Sequence, residues 1–515
     1  MGTTHSHWWE RRGTVALLVL LAMVPLLLPP VAPLIDLPGH MGRYRVQLSY
    51  ADSAILRQFY DFHWALIGNL GVDLLIIPMA KLFGLELGVK LIVMAIPAMT
   101  VGGLLWIARE VHGEVQPTSL FALPLAYGHP FLFGFVNFAL SMAFALLAFA
   151  LWLQLARLGR TRLRAAVFVV LAPLIWLTHT FGWGTLGVLA FSAELIRQHD
   201  RGGSWPHAIF HAGVQVLSIA PPLMLMIVWR SGHVSGQTGD WFNWAAKLQW
   251  FTMTLRDRWQ AFDMLSVWLL VMLVIYALAD RRLEISRNLG ASALFLAAVF
   301  LLLPRIVFGS AYADMRITPF MIAIAVIGIR QRPGASVRFA NALALGGLAF
   351  FGARIAANTV SFARASADYG RALGALDHVP VGGRLVSFVG HPCRTLWTTN
   401  RMEHLPAMAI VRRQAFSNDQ WDMAGAQLLT AKRPEARHYR GDPSEIVTAV
   451  RCRGEFWRPL DVSLATFPRD AFDYVWLIDP PSFDPRWTRG LTPIWMNGRD
   501  TLYRVDDRRM LVRFK

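Results

Sequence analysis

Long apolar runs, separated by short polar stretches, follow one another from the N-terminus to about residue 356. A helix needs roughly 20 apolar residues to cross a bilayer, and the shorter runs are typical of short or half-inserted helices. The pattern predicts a polytopic α-helical membrane protein with about 11 transmembrane helices. The runs lie at 14–31, 87–107, 119–128, 131–155, 165–180, 181–196, 207–229, 264–278, 289–307, 317–329 and 337–356.

The composition agrees with this pattern. Of the 515 residues, 55% are hydrophobic and 16% are charged, whereas a soluble domain usually carries about 25% charged residues. A chain of this kind cannot hide its apolar surface in one water-soluble core. The formal net charge of +17 does not indicate a nucleic-acid partner, because the basic residues form short clusters between apolar runs, as membrane topology requires.

The arginines predict the orientation of the chain. Arg11 and Arg12 precede the first run, which has no small-residue cleavage site and is taken as an uncleaved span. The segment 69–83 could cross the membrane or lie on its surface. Only the interfacial alternative keeps the basic clusters in the cytoplasm, and these lie at 157–164, 197–201, 281–282 and 330–332. We therefore expect a bacterial-type cytoplasmic (inner) membrane protein with a cytoplasmic N-terminus.

The tail of the chain has a different character. It carries more charge, and short β-like runs at 384–390, 473–478 and 501–505 alternate with Gly, Pro and Asp breakers. This predicts a transmembrane helical domain at 1–357, including a first outer loop at 33–86, and an α/β domain at 358–515. An odd number of spans places the second domain outside the cytoplasm, as a periplasmic domain.

The only two cysteines, Cys393 and Cys452, fall in this tail. An oxidising compartment would let them form a disulfide, and two unrelated cysteines are the alternative.

Polar side chains gather where this topology puts the outer ends of helices. Carboxylates, imidazoles and guanidinia on one membrane face are what a site for an anionic, lipid-linked substrate requires. The spans carry no Asp or Glu near mid-depth, which disfavours an ion-coupled transporter. The outer residues are Asp36, His40, Arg43, Asp61, Asp73, His129, His179, Arg305 and Arg316.

This layout resembles the C-type (GT-C) membrane glycosyltransferases, which use polyprenyl-phosphate sugars. The resemblance rests on a first span leading to DLPGH at 36–40, on KLFGLELGVKL at 81–91, on GFVNFALSMAFAL at 134–146, and on the exported tail. It implies an inverting transfer of sugar from a lipid-linked donor to a glycan, lipid or protein acceptor in the cell envelope, with Asp36 as the catalytic base.

The resemblance also implies that arginines at the outer helix ends, together with the histidines, bind the donor phosphate. Many members carry two adjacent acids in the first outer loop, whereas Leu37 follows Asp36 here. Asp61 or Asp73 could supply the second carboxylate, and metal dependence stays open.

Each of these residues has a structural alternative. Asp36, before a Leu-Pro pair, could turn or cap the chain, and Asp61 and Asp73 could cap helices. The arginines could meet lipid headgroups. His391, Cys393 and His404 match no zinc spacing, so no metal site is predicted. At the level of function, a transporter or flippase of a lipid-linked glycan and a non-catalytic envelope assembly protein are the alternatives.

Overall fold

The computed structural model describes residues 7–231, 237–394, 396–422 and 427–510. The chain divides into two compact units. Unit 1 comprises Met1–Leu28, Leu66–Leu74 and Leu91–Ser361, and unit 2 comprises Pro29–Ala65, Leu75–Lys90 and Phe362–Lys515. Unit 2 therefore joins most of the predicted outer loop to the tail.

Unit 1 is built mainly of apolar helices. Three helices belong to both units: Gly71–Phe83 begins in unit 1 and ends in unit 2, Leu85–His112 begins in unit 2, and Val337–Leu373 ends there. The other helices of unit 1 are Arg12–Leu21, Val24–Leu27, His129–Phe133, Val136–Arg157, Thr161–Thr178, Thr180–Asp200, Trp205–Val216, Pro222–Ser231, Trp244–Thr252, Gln260–Ala279, Arg287–Leu302 and Thr318–Ile327. Two short antiparallel strands, Leu283–Ile285 and Ile329–Gln331, link two of the helix ends.

Five helical stretches of the described chain are long and apolar enough to cross a membrane. A sixth span results if Trp205–Ile219 and Pro222–Val228 are one broken span, since they meet at a 61° bend. Consecutive prolines at 221 and 222 explain the break, because neither can donate the backbone hydrogen bond that would continue the helix. The predicted class of helical membrane protein is therefore supported, while the count of about 11 spans is not reached by this measure. The five stretches are Leu85–His112, Val136–Arg157, Thr161–Thr178, Gln260–Ala279 and Val337–His378.

The predicted span at 119–128 has a different structure. It lies within a 3-10 helix, Pro117–Tyr127, in which every residue is buried inside unit 1. Pro124, inside this segment, has no backbone N–H to donate. Apolar composition alone does not distinguish such a buried internal segment from a span.

Unit 2 contains a seven-stranded sheet with helices against it. Three of its strands match the predicted β-like runs, namely β1 (Arg384–Gly390), β5 (Tyr474–Ile478) and β7 (Asp500–Val505). The others are β2 (Phe416–Ser417), β3 (Ile446–Thr448), β4 (Arg458–Pro459) and β6 (Leu491–Asn497), and the sheet order is β6-β7-β5-β1-β3-β4 with β2 also paired to β1. A separate antiparallel pair joins Tyr60–Phe62 to Leu429–Ala431. The α-helices confined to unit 2 are Leu37–Ser49, Ala54–Phe59, Met408–Arg413 and Leu460–Thr466.

One edge of the central strand β1 is shared by two short parallel strands. β2 pairs with its beginning, through Leu385 and Ser417, and β3 pairs with its end, through Val389 and Ile446. In the gap between them, the Asn418 side chain accepts a hydrogen bond from the backbone N–H of Ser387 and donates one to its carbonyl. The chain therefore leaves the sheet after β2 and re-enters at β3, which brings the residues flanking this break together.

The two cysteines lie in the same region. Cys393, shortly after β1, forms a disulfide with Cys452, shortly after β3, and their Cα atoms are 5.2 Å apart. The pairing considered from the sequence is therefore present in the structure.

Candidate active site

Asp36 lies near the start of the segment predicted as the first outer loop, directly before the helix Leu37–Ser49. It occupies the N-cap position, yet its side chain makes no capping hydrogen bond, unlike a typical N-cap aspartate. Its carboxylate is largely buried, and one of its oxygens, Oδ1, is 3.8 Å from Nε2 of His404. The Asp36 side chain therefore does not cap this helix.

His404 is held between carboxylates of unit 2. Its Nδ1 lies 2.6 Å from Oδ1 of Asp419, within hydrogen-bonding distance. The second oxygen of Asp419 accepts a hydrogen bond from the backbone N–H of Ala407, so the carboxylate is fixed on both sides. Oε1 of Glu445 is 3.9 Å from the same imidazole nitrogen. Asp419 and Glu445 flank the break between β2 and β3, so the sheet topology produces this acidic cluster around one imidazole.

The protonation of the cluster follows from its charges. Burial opposes a charge on His404, but the charge and hydrogen bond of Asp419, together with Asp36 and Glu403, raise its pKa to about 10. Burial, reinforced by the negative charges of Asp442 and Asp419, raises the pKa of Glu445 well above its usual range. The cluster therefore gathers more acidic groups than one imidazolium compensates, and burial favours the protonated form of Glu445.

An aromatic side chain covers the cluster. The ring of Trp421 lies 4.6 Å from the ring of His404 and 5.0 Å from that of His40. Gly39 permits this approach, because a Cβ at that position would come within 2.6 Å of the indole. Burial, followed by the positive charges of Arg43 and His404, lowers the pKa of His40 well below its usual value.

Three of the predicted site residues therefore belong to one helix and its N-cap. Asp36, His40 and Arg43 lie in or beside the helix Leu37–Ser49, and Arg43 hydrogen-bonds to Gln427. Asp61 belongs to the same unit but has other partners, since it accepts a hydrogen bond from Tyr50 and pairs with Lys432.

A second group of predicted residues lies in unit 1. The Arg316 guanidinium stands 4.4 Å from the ring of Phe135 and 5.4 Å from that of Phe181. It also donates a hydrogen bond to Ser310. The imidazole of His179 accepts a hydrogen bond from the backbone N–H of Phe181. Arg316 and His179 thus share an aromatic surrounding.

The remaining predicted residues have separate local contacts. Asp73 lies in the first turn of the helix Gly71–Phe83 and accepts a hydrogen bond from the Asn137 side chain. The same side chain accepts a hydrogen bond from the backbone N–H of Val72 in that turn. Arg305 pairs with Asp240 at 3.1 Å. His129 begins a short helix, is buried, and packs edge-on against Phe133.

Sequence reasoning missed His404, Asp419, Glu445 and Trp421 as site residues. His404 was considered only with His391 and Cys393, since those three are close in sequence. The one local signal is the polar stretch Ser417–Asn418–Asp419–Gln420, which directly follows a short apolar strand and is buried throughout.

No family model and no curated protein matches the chain. Among solved structures, the chain is similar to one described as the crystal structure of ArnT from Cupriavidus metallidurans bound to undecaprenyl phosphate. The match covers 96% of this chain and 97% of that chain, at 12% sequence identity and a TM-score of 0.47. At this level of similarity, the function has to be argued from the residues of the chain itself.

Proposed function

We propose that the protein is an inverting glycosyltransferase that moves a sugar from a polyprenyl phosphate to an acceptor at the outer face of the cytoplasmic membrane. One observation carries this proposal. The buried carboxylate of Asp36, at the start of the first outer loop, does not cap its helix and stands beside an imidazole fixed by Asp419. A carboxylate placed in this way is suited to act as a general base.

The proposed reaction is a single displacement at the anomeric carbon of the sugar. The acceptor hydroxyl oxygen attacks the anomeric carbon and forms the new glycosidic bond, while the bond from that carbon to the phosphate oxygen breaks. The electron pair of that bond leaves with the polyprenyl phosphate, and the hydroxyl proton passes to Asp36, which later releases it to water. Attack from the side opposite the phosphate inverts the anomeric centre.

Unit 1 supports an enzyme over an ion-coupled transporter. The transporter alternative needs carboxylates that can exchange their partners within the membrane. Two of the buried carboxylates of unit 1 are instead engaged by arginines, Glu194 by Arg164 at 3.1 Å and Asp263 by Arg354 at 2.6 Å.

Arg316 and His179 remain the predicted ligands of the donor phosphate. Guanidinium groups bind phosphate oxygens through paired hydrogen bonds. Arg316→Lys keeps the charge and removes the paired donors, so it is expected to raise the KM for donor more than it lowers kcat. An unchanged KM would remove Arg316 from phosphate binding.

The proposed orientation places unit 2 outside the cytoplasm. The disulfide between Cys393 and Cys452 supports this orientation, because disulfides persist in oxidising compartments. Alkaline phosphatase fused after residue 510 is expected to be active, and a fusion within 157–164 inactive. The opposite pattern would overturn the orientation.

The central test is Asp36→Asn. This substitution keeps the size of the side chain and removes the base, so release of polyprenyl phosphate from a synthetic polyprenyl-phosphate sugar should fall at least about 1,000-fold. The matched control is Asp377→Asn, which removes an exposed carboxylate of the same unit. Retained turnover in a folded Asp36→Asn protein would exclude Asp36 as the base.

A further inference from the structure

Glu445 is a fully buried acid of the cluster around His404. Neither of its carboxylate oxygens makes a hydrogen bond of good geometry among the described residues, and the carboxyl group of Asp442 lies beside it. An ionised carboxylate in this position is strongly unfavourable unless a cation compensates it. The backbone holds it there, because the carbonyl of Glu445 accepts the N–H of Val389 at the end of β1.

The atoms around Glu445 fit a metal ion. Three buried residues, His404, Asp419 and Glu445, each offer one ligand atom, and these three atoms lie within 4.8 Å of one another. Ligand atoms around an ion with bonds of about 2.1 Å are separated by roughly 3 to 4.2 Å. The distance from His404 Nδ1 to Glu445 Oε1, 3.9 Å, lies in this range. The contact from Nδ1 to Asp419, at 2.6 Å, has to lengthen slightly when an ion enters.

We propose that His404, Asp419 and Glu445 form a binding site for one divalent transition-metal ion of the zinc type. One imidazole and two carboxylates favour such an ion over Mg²⁺ or Ca²⁺, which prefer oxygen ligands alone. Three protein ligands leave a coordination position open for water or another ligand. The site brings together the three segments around the break in the sheet, at 404, 419 and 445.

The site is distinct from the proposed general base. Asp36 faces Nε2 of His404, whereas the cluster uses Nδ1. Asp36→Asn is therefore expected to abolish transfer and to leave metal binding unchanged. The metal-binding test and the sugar-transfer test can therefore give different results, so failure of one proposal does not imply failure of the other.

The test measures metal binding by the full-length protein in detergent, with any affinity tag removed. After a chelator has stripped the protein, isothermal titration with Zn²⁺ is expected to show one tight site per chain. Co²⁺ is expected to give the visible absorption bands of a low-coordinate site with nitrogen and oxygen ligands. His207 and His211 are neighbours on one helix, with ring centroids 4.1 Å apart, and form a competing surface site. All titrations therefore use a His211→Gln background.

The decisive variant is Glu445→Gln, which keeps the shape of the side chain and removes one charged ligand. It is expected to weaken Zn²⁺ binding at least 10-fold and to change the Co²⁺ spectrum. Glu435→Gln removes an exposed carboxylate of the same unit and should change neither. Equal Zn²⁺ affinity in the parent and in Glu445→Gln would overturn the proposal, as would a parent protein that binds no ion. If Glu445→Gln does not fold, Asp419→Asn and the Co²⁺ spectrum of the parent decide in the same way.

Discussion

The buried carboxylates of the two units have different surroundings. In unit 1, three buried carboxylates each face a basic side chain, in the pairs Glu194–Arg164, Asp263–Arg354 and Asp314–Lys247. In unit 2, the carboxylates of Asp36, Asp419 and Glu445 surround a single imidazole. Compensated pairs fix helices against one another, whereas a surplus of buried negative charge is retained where a cation, a proton or a substrate is handled. This difference is consistent with the place of the proposed general base, because Asp36 belongs to unit 2.

The largest expected effect comes from breaking a pair in unit 1. Arg354 and Asp263 are each 1% exposed and 2.6 Å apart. Arg354→Met breaks this buried ion pair, and breaking such a pair typically destabilises a protein by about 3–5 kcal/mol. Arg256, which also interacts with Asp263, keeps the loss toward the lower end of this range. Unfolding in mixed detergent should show this loss.

The double variant Arg354→Met/Asp263→Leu supplies the control. Replacing both charges by apolar residues removes the uncompensated carboxylate, so most of the lost stability should return. If the single variant were as stable as the double one, the ion pair between Arg354 and Asp263 would not stabilise unit 1.

The second prediction concerns the aromatic cover of the cluster in unit 2. In Gly39→Ala, the added Cβ would stand 2.6 Å from the Trp421 indole, so the ring has to move away from His404. Overpacking of this kind typically destabilises by about 1–3 kcal/mol. Sugar transfer should fall together with stability, because the indole lies directly over the cluster. Gly370→Ala is the matched control, since nothing lies within 4 Å of its added Cβ.

The third prediction uses a compensated carboxylate of unit 2 as an internal reference. Burial would raise the pKa of Asp473, but hydrogen bonds from Arg384 and Arg508 hold it at about 2. A pKa below the unfolded value of 3.8 means that stabilisation is complete above about pH 4 and is lost as the pH falls toward 2. Asp473→Asn should therefore destabilise by roughly 1–2 kcal/mol at pH 7.

The pH dependence provides the control for this prediction. The difference in unfolding midpoint between the parent and Asp473→Asn should shrink as the pH is lowered from 5 to about 2.5. A difference that stays constant over this range would show that Asp473 acts through packing rather than through its charge.

Much of the fold could be predicted from local patterns. Apolar runs gave most helices of unit 1, and three β-like runs became strands of one sheet. The run at 119–128 forms mainly a buried 3-10 helix instead of the long α-helix expected of a span, and apolar composition alone does not distinguish the two. Asp36 was predicted as a site residue because it begins the predicted outer loop, which is a property of the sequence near it.

The rest of the site depends on contacts between distant segments. Asp419 and Glu445 meet because two short strands share one edge of β1, and no spacing in the sequence encodes that break. His404 joins them from a third segment. Only the polar stretch after residue 416, buried where a loop would normally be solvated, distinguishes this region, and its burial becomes visible only in three dimensions.

The smallest expected effect concerns an exposed pair in unit 2, Glu86 with Arg412. Two parallel contacts of 3.0 and 2.9 Å join them, yet both side chains are about a third exposed. Water and salt screen such a pair, so Glu86→Gln should change stability by less than about 1 kcal/mol. The residual effect should vanish at about 1 M salt, whereas the loss in Arg354→Met should persist, because its carboxylate stays out of reach of the ions. If both variants responded equally to salt, burial would not explain why one ion pair contributes more to stability than the other.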